Sequence, residues 1–390
     1  MPQRVFLSVA EVSGDQHAAQ LVHSLRQIDP SIAIEGIGGP LMRAAGCTVL
    51  HETVKGAAMG FGGFTRYFEL KKVLKQIEAH VGQQKPSLMI GVDSPSMNFH
   101  FAALARRIGV PFLQYVAPQV WAWREGRVKK IARTIDRVAC ILPFEEAYFR
   151  AKGVNATFVG HPLFDELPAD RGEPFAAKFP TRRDPIVGLL PGSRRGEATN
   201  HYAAMLQMAD RIKQVFPAAR FVTPTVAATH EIVTTLAKGR ADVTVAQDAF
   251  DRLVPQCDLC IVASGTATLH VAGFGVPMVI LYRGGSRLAY HGIARWLIIT
   301  KKFALVNLLA DRDEYVAPEF IPWFDDPEPV AASAIEYLQN PEKLRAQHER
   351  LLRLIKDLDR PGASMNVARI AFEMMEKKVN RQGRQARQGE

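Results

Sequence analysis

Short apolar runs rich in β-branched residues alternate with longer stretches of helical period along most of the chain, a pattern that dictates βαβ units on parallel sheets. In the first half the expected strands are 4–10, 32–36, 87–92, 112–116, 137–142 and 157–159, with helices near 15–27, 68–81, 97–108, 125–134 and 144–152. Residues 167–185, LPADRGEPFAAKFPTRRDP, carry four prolines and clustered charge without a period, the marks of an interdomain linker. The alternation then restarts with IVGLL (186–190), RFVTP (220–224), VTV (243–245), LCIVAS (259–264) and PMVIL (277–281). The expected fold is α/β, with two Rossmann-like, doubly wound domains, 1–166 and 186–358, facing an interdomain cleft. Segment 359–378 reads as a C-terminal helix packing back on an N-terminal domain, its own or that of a partner in a homodimer. Residues 379–390 read as a disordered basic tail.

At 390 residues, 47% hydrophobic and 23% charged, the chain is too long for one small module and too ordinary in composition for a disordered, collagenous or coiled-coil protein. Its 49 basic against 39 acidic residues give a net charge of +10, which favours anionic partners: phosphates, acidic membrane surfaces or nucleic acid. Four irregularly spaced cysteines argue against a disulfide framework, and the apolar run 5–10 is too short for an export signal, so a cytoplasmic location is expected. Every apolar stretch is broken before the about 20 residues of a membrane span, so any membrane contact is expected to be peripheral.

Ligands of open α/β sheets bind beyond the carboxyl ends of the strands. LLPGSRRGE (189–197) runs from a strand through Gly192, Ser193 and Arg194 into a helix, an arrangement able to cradle a diphosphate, or equally a plain turn with solvated arginines. ASGTATLH (263–270) repeats the theme with Ser264, Gly265 and Thr266. AEVSGD (10–15) and GVDSPSMN (91–98) each place a carboxylate, Glu11 or Asp93, after a strand, where it suits a general base; the alternative is a capping role, for Asp15 or Ser13 in the first motif and for Asp93 in the second. Met59, Phe61, Phe64 and Phe68 beside Arg66, Lys71, Lys72 and Lys75 suit an acyl-chain or membrane contact, or a loop folded into the core. The aromatic and basic segment 117–133 has no RNA-binding signature, so no nucleic acid is expected. CDLC (257–260) lacks a second cysteine pair and the histidines are scattered, so neither a metal nor another cofactor is expected.

These residues resemble a family, the bacterial lipid-A-disaccharide synthases, glycosyltransferases of the two-domain GT-B class. The resemblance runs from SVAEVSGD (8–15) through MGFGG (59–63), VDSPSMN (92–98), VAPQVWAWREGRV (116–128), LPFEEAYF (142–149), FVGHP (158–162), LLPGSRRGE and ASGTATL to NLLA (307–310). It implies transfer of 2,3-diacylglucosamine from its UDP conjugate to 2,3-diacylglucosamine 1-phosphate, with inversion, on the inner face of the cytoplasmic membrane. Carried over by motif, Gly192, Ser193, Arg194, Glu197, Ser264, Gly265, Thr266, His270, Arg283 and Asn307 hold the nucleotide. Asp93 is the first choice for the base and Glu11 the second, while Ser13, Asp15, Asn98, Trp123, Arg124 and His161 belong to the acceptor side.

Two positions depart from the family pattern: Ala10 stands where a glycine is usual, and His270 where a glutamate is. A carboxylate accepts from both ribose hydroxyls, whereas a neutral imidazole offers one acceptor. Two other readings therefore stand beside the transferase: a GT-B enzyme acting on another lipid-linked acceptor or UDP-sugar, and a nucleotide-sugar-binding protein without catalysis.

Overall fold

The computed structural model describes residues 3–54, 63–123, 125–168, 184–283, 302–310, 314–356, 358 and 362–388; of these, 63–72, 122, 123, 125 and 378–388 are described by backbone alone. The chain divides into two compact units, residues 1–165 with 360–390, and residues 166–359.

Unit 1 is built on seven parallel strands, β1 (Arg4–Ser8), β2 (Ala33–Gly38), β3 (Thr48–Glu52), β4 (Leu88–Val92), β5 (Phe112–Tyr115), β6 (Arg137–Cys140) and β7 (Ala156–Phe158). Its helices are α1 (Val12–Ile28), α2 (Pro40–Ala44), α3 (Gly63–Gln84), α4 (Pro95–Ile108), α5 (Val120–Trp123), α6 (Val128–Thr134), α7 (Pro143–Arg150) and α8 (Leu163–Glu166). The spatial order β3-β2-β1-β4-β5-β6-β7 shows the chain winding outward from β1, then crossing back to start again at β4. Apolar cores lie on both faces of the sheet, one under α1, the other under α4 and α6. Two-sided burial explains why LMIGV of β4 carries no polar alternation.

Unit 2 repeats the plan with β8 (Ile186–Leu190), α9 (Arg195–Val215), β9 (Arg220–Thr225), α10 (Ala227–Leu236), β10 (Val243–Gln247), α11 (Phe250–Leu253), β11 (Leu259–Ala263), α12 (Thr266–Gly273), β12 (Met278–Arg283), α13 (Leu305–Leu309), β13 (Glu319–Trp323), α14 (Glu328–Gln339) and α15 (Pro341–Lys356). Its parallel order is β10-β9-β8-β11-β12-β13. A final helix, α16 (Ala363–Gln388), belongs to unit 1, where Val367, Ala371 and Met375 share a core with Leu21, Val22 and Leu25 of α1. Asp165 fixes its start, accepting the N–H groups of Gly362 at 2.6 Å, Ala363 at 3.1 Å and Ser364 at 3.1 Å.

Two sequence expectations change. Strands β3 and β13, at one edge of each sheet, were not expected: β3 has no fully buried residue to give it an apolar run, and β13 is interrupted by Pro322, tolerated where one side of a strand goes unpaired. The basic tail continues the α16 backbone to Gln388 instead of leaving the helix at 378, since Lys, Arg and Gln are good helix formers even without an apolar face. Of the expected linker 167–185, residues 169–183 lie outside those described. Among the described residues no helix is long and apolar enough to cross a membrane.

Candidate functional site

Each sheet has one place where neighbouring strands run on in opposite directions of the winding, β1/β4 in unit 1 and β8/β11 in unit 2. The loops beyond the carboxyl ends of such strands diverge and leave a crevice for a ligand. The candidate catalytic residues sit at the first and the candidate phosphate loops at the second.

At β1/β4, Glu11 precedes α1 and Asp93 follows β4. Ser13 Oγ donates to Asp93 Oδ2 at 3.0 Å, and Ser94 Oγ stands 3.5 Å from Glu11 Oε1. The Asp93 backbone is clamped: its N–H donates to the Tyr115 carbonyl at 2.9 Å, and its carbonyl accepts from Gln114 Nε2 at 3.0 Å and from Asn98 Nδ2. Asp93 and Ser94 hold φ of 53° and 36°, and Val116, just past β5, holds 65°. Side chains in this left-handed region cost about 1–3 kcal/mol each and persist only where neighbours over-determine them. Gln114, whose amide also donates to the Val116 carbonyl at 3.1 Å, fastens the two strained loops together. A Cβ on Gly91 would lie 2.6 Å from Asn98 Cγ, so glycine there makes room for the clamp. The product is a half-buried carboxylate with a fixed backbone and one oxygen held by a hydroxyl.

Three residues expected on the acceptor side serve the fold around it. Asp15 is 1% exposed, and its oxygens accept the N–H groups of Gly39 at 3.1 Å, Leu41 at 3.0 Å and Met42 at 3.1 Å, capping α2. His161 is buried, its Nδ1 accepts the Leu163 N–H at 3.2 Å, and burial pushes the imidazole down to about 3. Asn98 is the clamp already described. Sequence reading passed over Gln114 and also His17, a half-buried imidazole one turn beyond Ser13. Neither has a motif around it.

At β8/β11, Gly192 holds φ of 108°, and a Cβ there would lie 2.5 Å from Glu197 Oε2. Glu197 is a brace of the loop, accepting the Arg194 N–H at 3.3 Å and pairing with Arg194 Nη1 at 2.9 Å. Ser193 and Arg194 are exposed ahead of α9, and Gly265 and Thr266 are exposed at the start of α12, with Ser264 half-buried before them. Two helix N-termini following adjacent strands therefore bring their partial positive charge to one crevice, the chemistry that takes up a diphosphate.

His201, one of the residues sequence reading missed, lies beneath this loop. Its Nδ1 is 3.0 Å from the Pro191 carbonyl and its Nε2 is 3.1 Å from the Arg283 N–H, which assigns the proton to Nδ1. Burial lowers its pKa, against the pull of the Pro191 carbonyl, and keeps the ring in that neutral tautomer. Arg283 is held in turn by Asn200 Oδ1 at 3.1 Å and Asp325 at 2.7 Å. Asn307, expected to line the nucleotide site, is fully buried, and its amide makes four bonds inside unit 2, to Ala317 O, Glu319 Oε2 and the N–H groups of Val316 and Ala317. His270 pairs with Asp251 at 2.7 Å and stacks between Phe250, 4.1 Å away, and Phe274, 5.7 Å away. The position that departs from the family pattern thus carries its own carboxylate as a partner.

Met59, Phe61 and Arg124 lie outside the described residues; Phe64, Phe68 and Trp123 are described by backbone only. Within the same tryptophan motif, Trp121 Nε1 donates to Glu145 at 3.1 Å, and burial pushes that carboxyl up to about 7 against this bond and the one from the Leu142 N–H. The four thiols are buried and none is in a disulfide. Among the described residues no three His, Cys, Asp or Glu side chains gather to hold a metal ion.

A family model for lipid-A-disaccharide synthetase matches residues 5–373. The lipid-A-disaccharide synthase of Geobacter metallireducens is 37% identical over 383 residues, covering 96% of this chain and 98% of that protein. Among solved structures, the UDP-GlcNAc 2-epimerase of Neisseria meningitidis bound to UDP-GlcNAc superposes with a TM-score of 0.59 at 11% identity, covering 96% of this chain and 100% of that one. MurG of Acinetobacter baumannii gives a TM-score of 0.57 at 16% identity, covering 95% and 100%. The two structures share the GT-B fold of paired Rossmann-like domains with this chain.

Proposed function

The chain belongs to the lipid-A-disaccharide synthetase family, and from that premise we propose which substrates it joins and which residues carry the transfer. It is a glycosyltransferase of lipid A biosynthesis. The donor is UDP-2,3-diacylglucosamine and the acceptor 2,3-diacylglucosamine 1-phosphate. The acceptor 6-hydroxyl oxygen bonds to C1 of the donor sugar from the face opposite UDP; the bond from C1 to the diphosphate oxygen breaks and its electron pair leaves with UDP. The hydroxyl proton passes to Asp93, so an α-linked donor gives a β-linked product through an oxocarbenium-like transition state.

The observation that supports this most is the Asp93 clamp: a carboxylate at a switch point, on a strained and fully hydrogen-bonded backbone, with Ser13 on one oxygen. Glu11, 3.5 Å from Ser94, is the second candidate. In unit 2 the N–H groups of Ser193, Gly265 and Thr266, at the starts of α9 and α12, meet the charge that grows on UDP, as fixed donors do at developing anions, and we assign no metal to that task. The loop of Gly192 is braced by Glu197 and His201, and Arg283 is tied to it through the His201 ring. Both substrates carry acyl chains and phosphate. The basic chain and the apolar segment 59–68 with its following lysines suit their collection at the inner face of the membrane, peripherally.

Mass spectrometry on purified protein given both acylated substrates in detergent with EDTA tests the reading. Disaccharide 1-phosphate and UDP are expected. Folded protein that binds UDP yet makes no disaccharide, or that turns over UDP-N-acetylglucosamine instead, contradicts it.

A further inference from the structure

Arg283 ends β12 with its backbone and its side chain both tied to α9, the helix that follows the Gly192 loop. Its N–H donates to His201 Nε2 at 3.1 Å, and its Nη1 donates to Asn200 Oδ1, one position earlier on α9, at 3.1 Å. Its Nη2 pairs with Asp325 Oδ2 at 2.7 Å. The guanidinium therefore lies beside the second turn of α9, held at both terminal nitrogens by groups from two different elements. A guanidinium is a rigid plane with five N–H groups, so two anchors fix its orientation while each terminal nitrogen carries a second N–H.

Asp325 stands in the loop between β13 and α14. Its φ is 62°, left-handed backbone that aspartate adopts more readily than most side chains. The next residue locks the turn: the Asp326 carbonyl accepts Trp323 Nε1 at 2.6 Å, and Asp326 Oδ1 accepts the Glu328 N–H at 3.0 Å. Trp323 is buried, and its ring centroid lies 6.4 Å from that of His201. One imidazole thus links the Gly192 loop to the turn that carries Asp325.

The ion pair itself is half in solvent, Arg283 41% exposed and Asp325 49%, and exposed pairs contribute little to stability. What the pair supplies is order. A long side chain that binds an anion loses rotamer freedom, and one already held in place loses less. We infer that Asp325 is a positioning residue of the nucleotide site, holding the Arg283 guanidinium ready for the diphosphate of UDP. The inference rests on the proposed binding of UDP in unit 2. A carboxylate also repels a diphosphate, and substitution separates the two effects: asparagine keeps an acceptor for Arg283 without the charge, whereas alanine keeps neither.

Calorimetric titration with UDP at one ionic strength, on wild type, Asp325→Ala, Asp325→Asn, Arg283→Gln and the Asp325→Ala/Arg283→Gln double variant, tests this. Asp325→Ala is expected to weaken UDP binding about three- to tenfold, the range for ordering one long side chain, while its urea midpoint stays near that of wild type. Asp325→Asn binds UDP within about twofold of wild type, and Arg283→Gln binds it at least as weakly as Asp325→Ala. In the Arg283→Gln background, Asp325→Ala adds no further loss, which a merely structural role would not produce. Affinity unchanged or raised in Asp325→Ala, Asp325→Asn as weak as Asp325→Ala, or a loss that is equal with and without Arg283 overturns the inference while leaving UDP binding in place. Wild type that binds no UDP refutes the nucleotide site of unit 2, and the inference with it.

Discussion

Ser13 Oγ donates to Asp93 Oδ2 across 3.0 Å, joining the first turn of α1 to the end of β4 at the crossing point of the first sheet. The bond fixes the carboxylate that the proposed mechanism uses. Ser13→Ala leaves the clamp on the Asp93 backbone and frees its side chain. A hydrogen bond to a charged group is worth about 1.5–3 kcal/mol, so kcat falls about tenfold or more while the donor KM changes little. Steady-state kinetics with both substrates check this; equal kcat contradicts it.

His201→Leu strands the Pro191 carbonyl and the Arg283 N–H, both tied by the native imidazole. Stability falls by about 2–4 kcal/mol in urea unfolding. UDP binding by calorimetry weakens as well, because the loop of Gly192 loses the brace beneath it.

Asn307→Ala separates a structural role from a ligand-binding one. All four bonds of the amide stay inside unit 2, so the variant loses about 2–4 kcal/mol of stability. The protein that remains folded binds UDP as wild type does. A tight, stable variant with a lost UDP site would restore the role the motif suggested.

His161 governs part of the acid response. Its pKa is depressed in the fold, to about 3, so its contribution is fully present above the unfolded value of 6.5 and is lost as pH falls from there toward 3. In His161→Asn the amide oxygen takes over the Leu163 N–H and nothing titrates. Between pH 6.5 and 4.5 wild type therefore loses about 2 kcal/mol more than the variant in urea unfolding. Glu145, raised to about 7, acts in the opposite direction in both proteins and cancels in the difference.

Much of this was legible in the sequence because two-sided burial writes strands as unbroken apolar runs, and because Asp93 and the glycine loops follow such runs directly. Edge strands β3 and β13 left no such trace. Motifs also carry no burial: Asp15, His161 and Asn307 match family segments, yet the structure gives their polar atoms to backbone partners. His17 and His201 were invisible for the converse reason, since one histidine on the inner face of a helix looks like any other until its partners are known. His270 sits between the two cases: the departure is plain in the sequence, while the Asp251 carboxylate that accompanies it is apparent only in the fold.

The most direct test is the single-turnover rate of disaccharide formation by Asp93→Asn at pH 8, with UDP binding measured on the same sample. A positioned general base contributes about 10²–10⁴-fold, so the rate is expected to fall by about that factor with UDP affinity intact. Transfer within about threefold of wild type, well inside the smallest contribution expected of a general base, contradicts the account and moves the proton to Glu11 or to solvent.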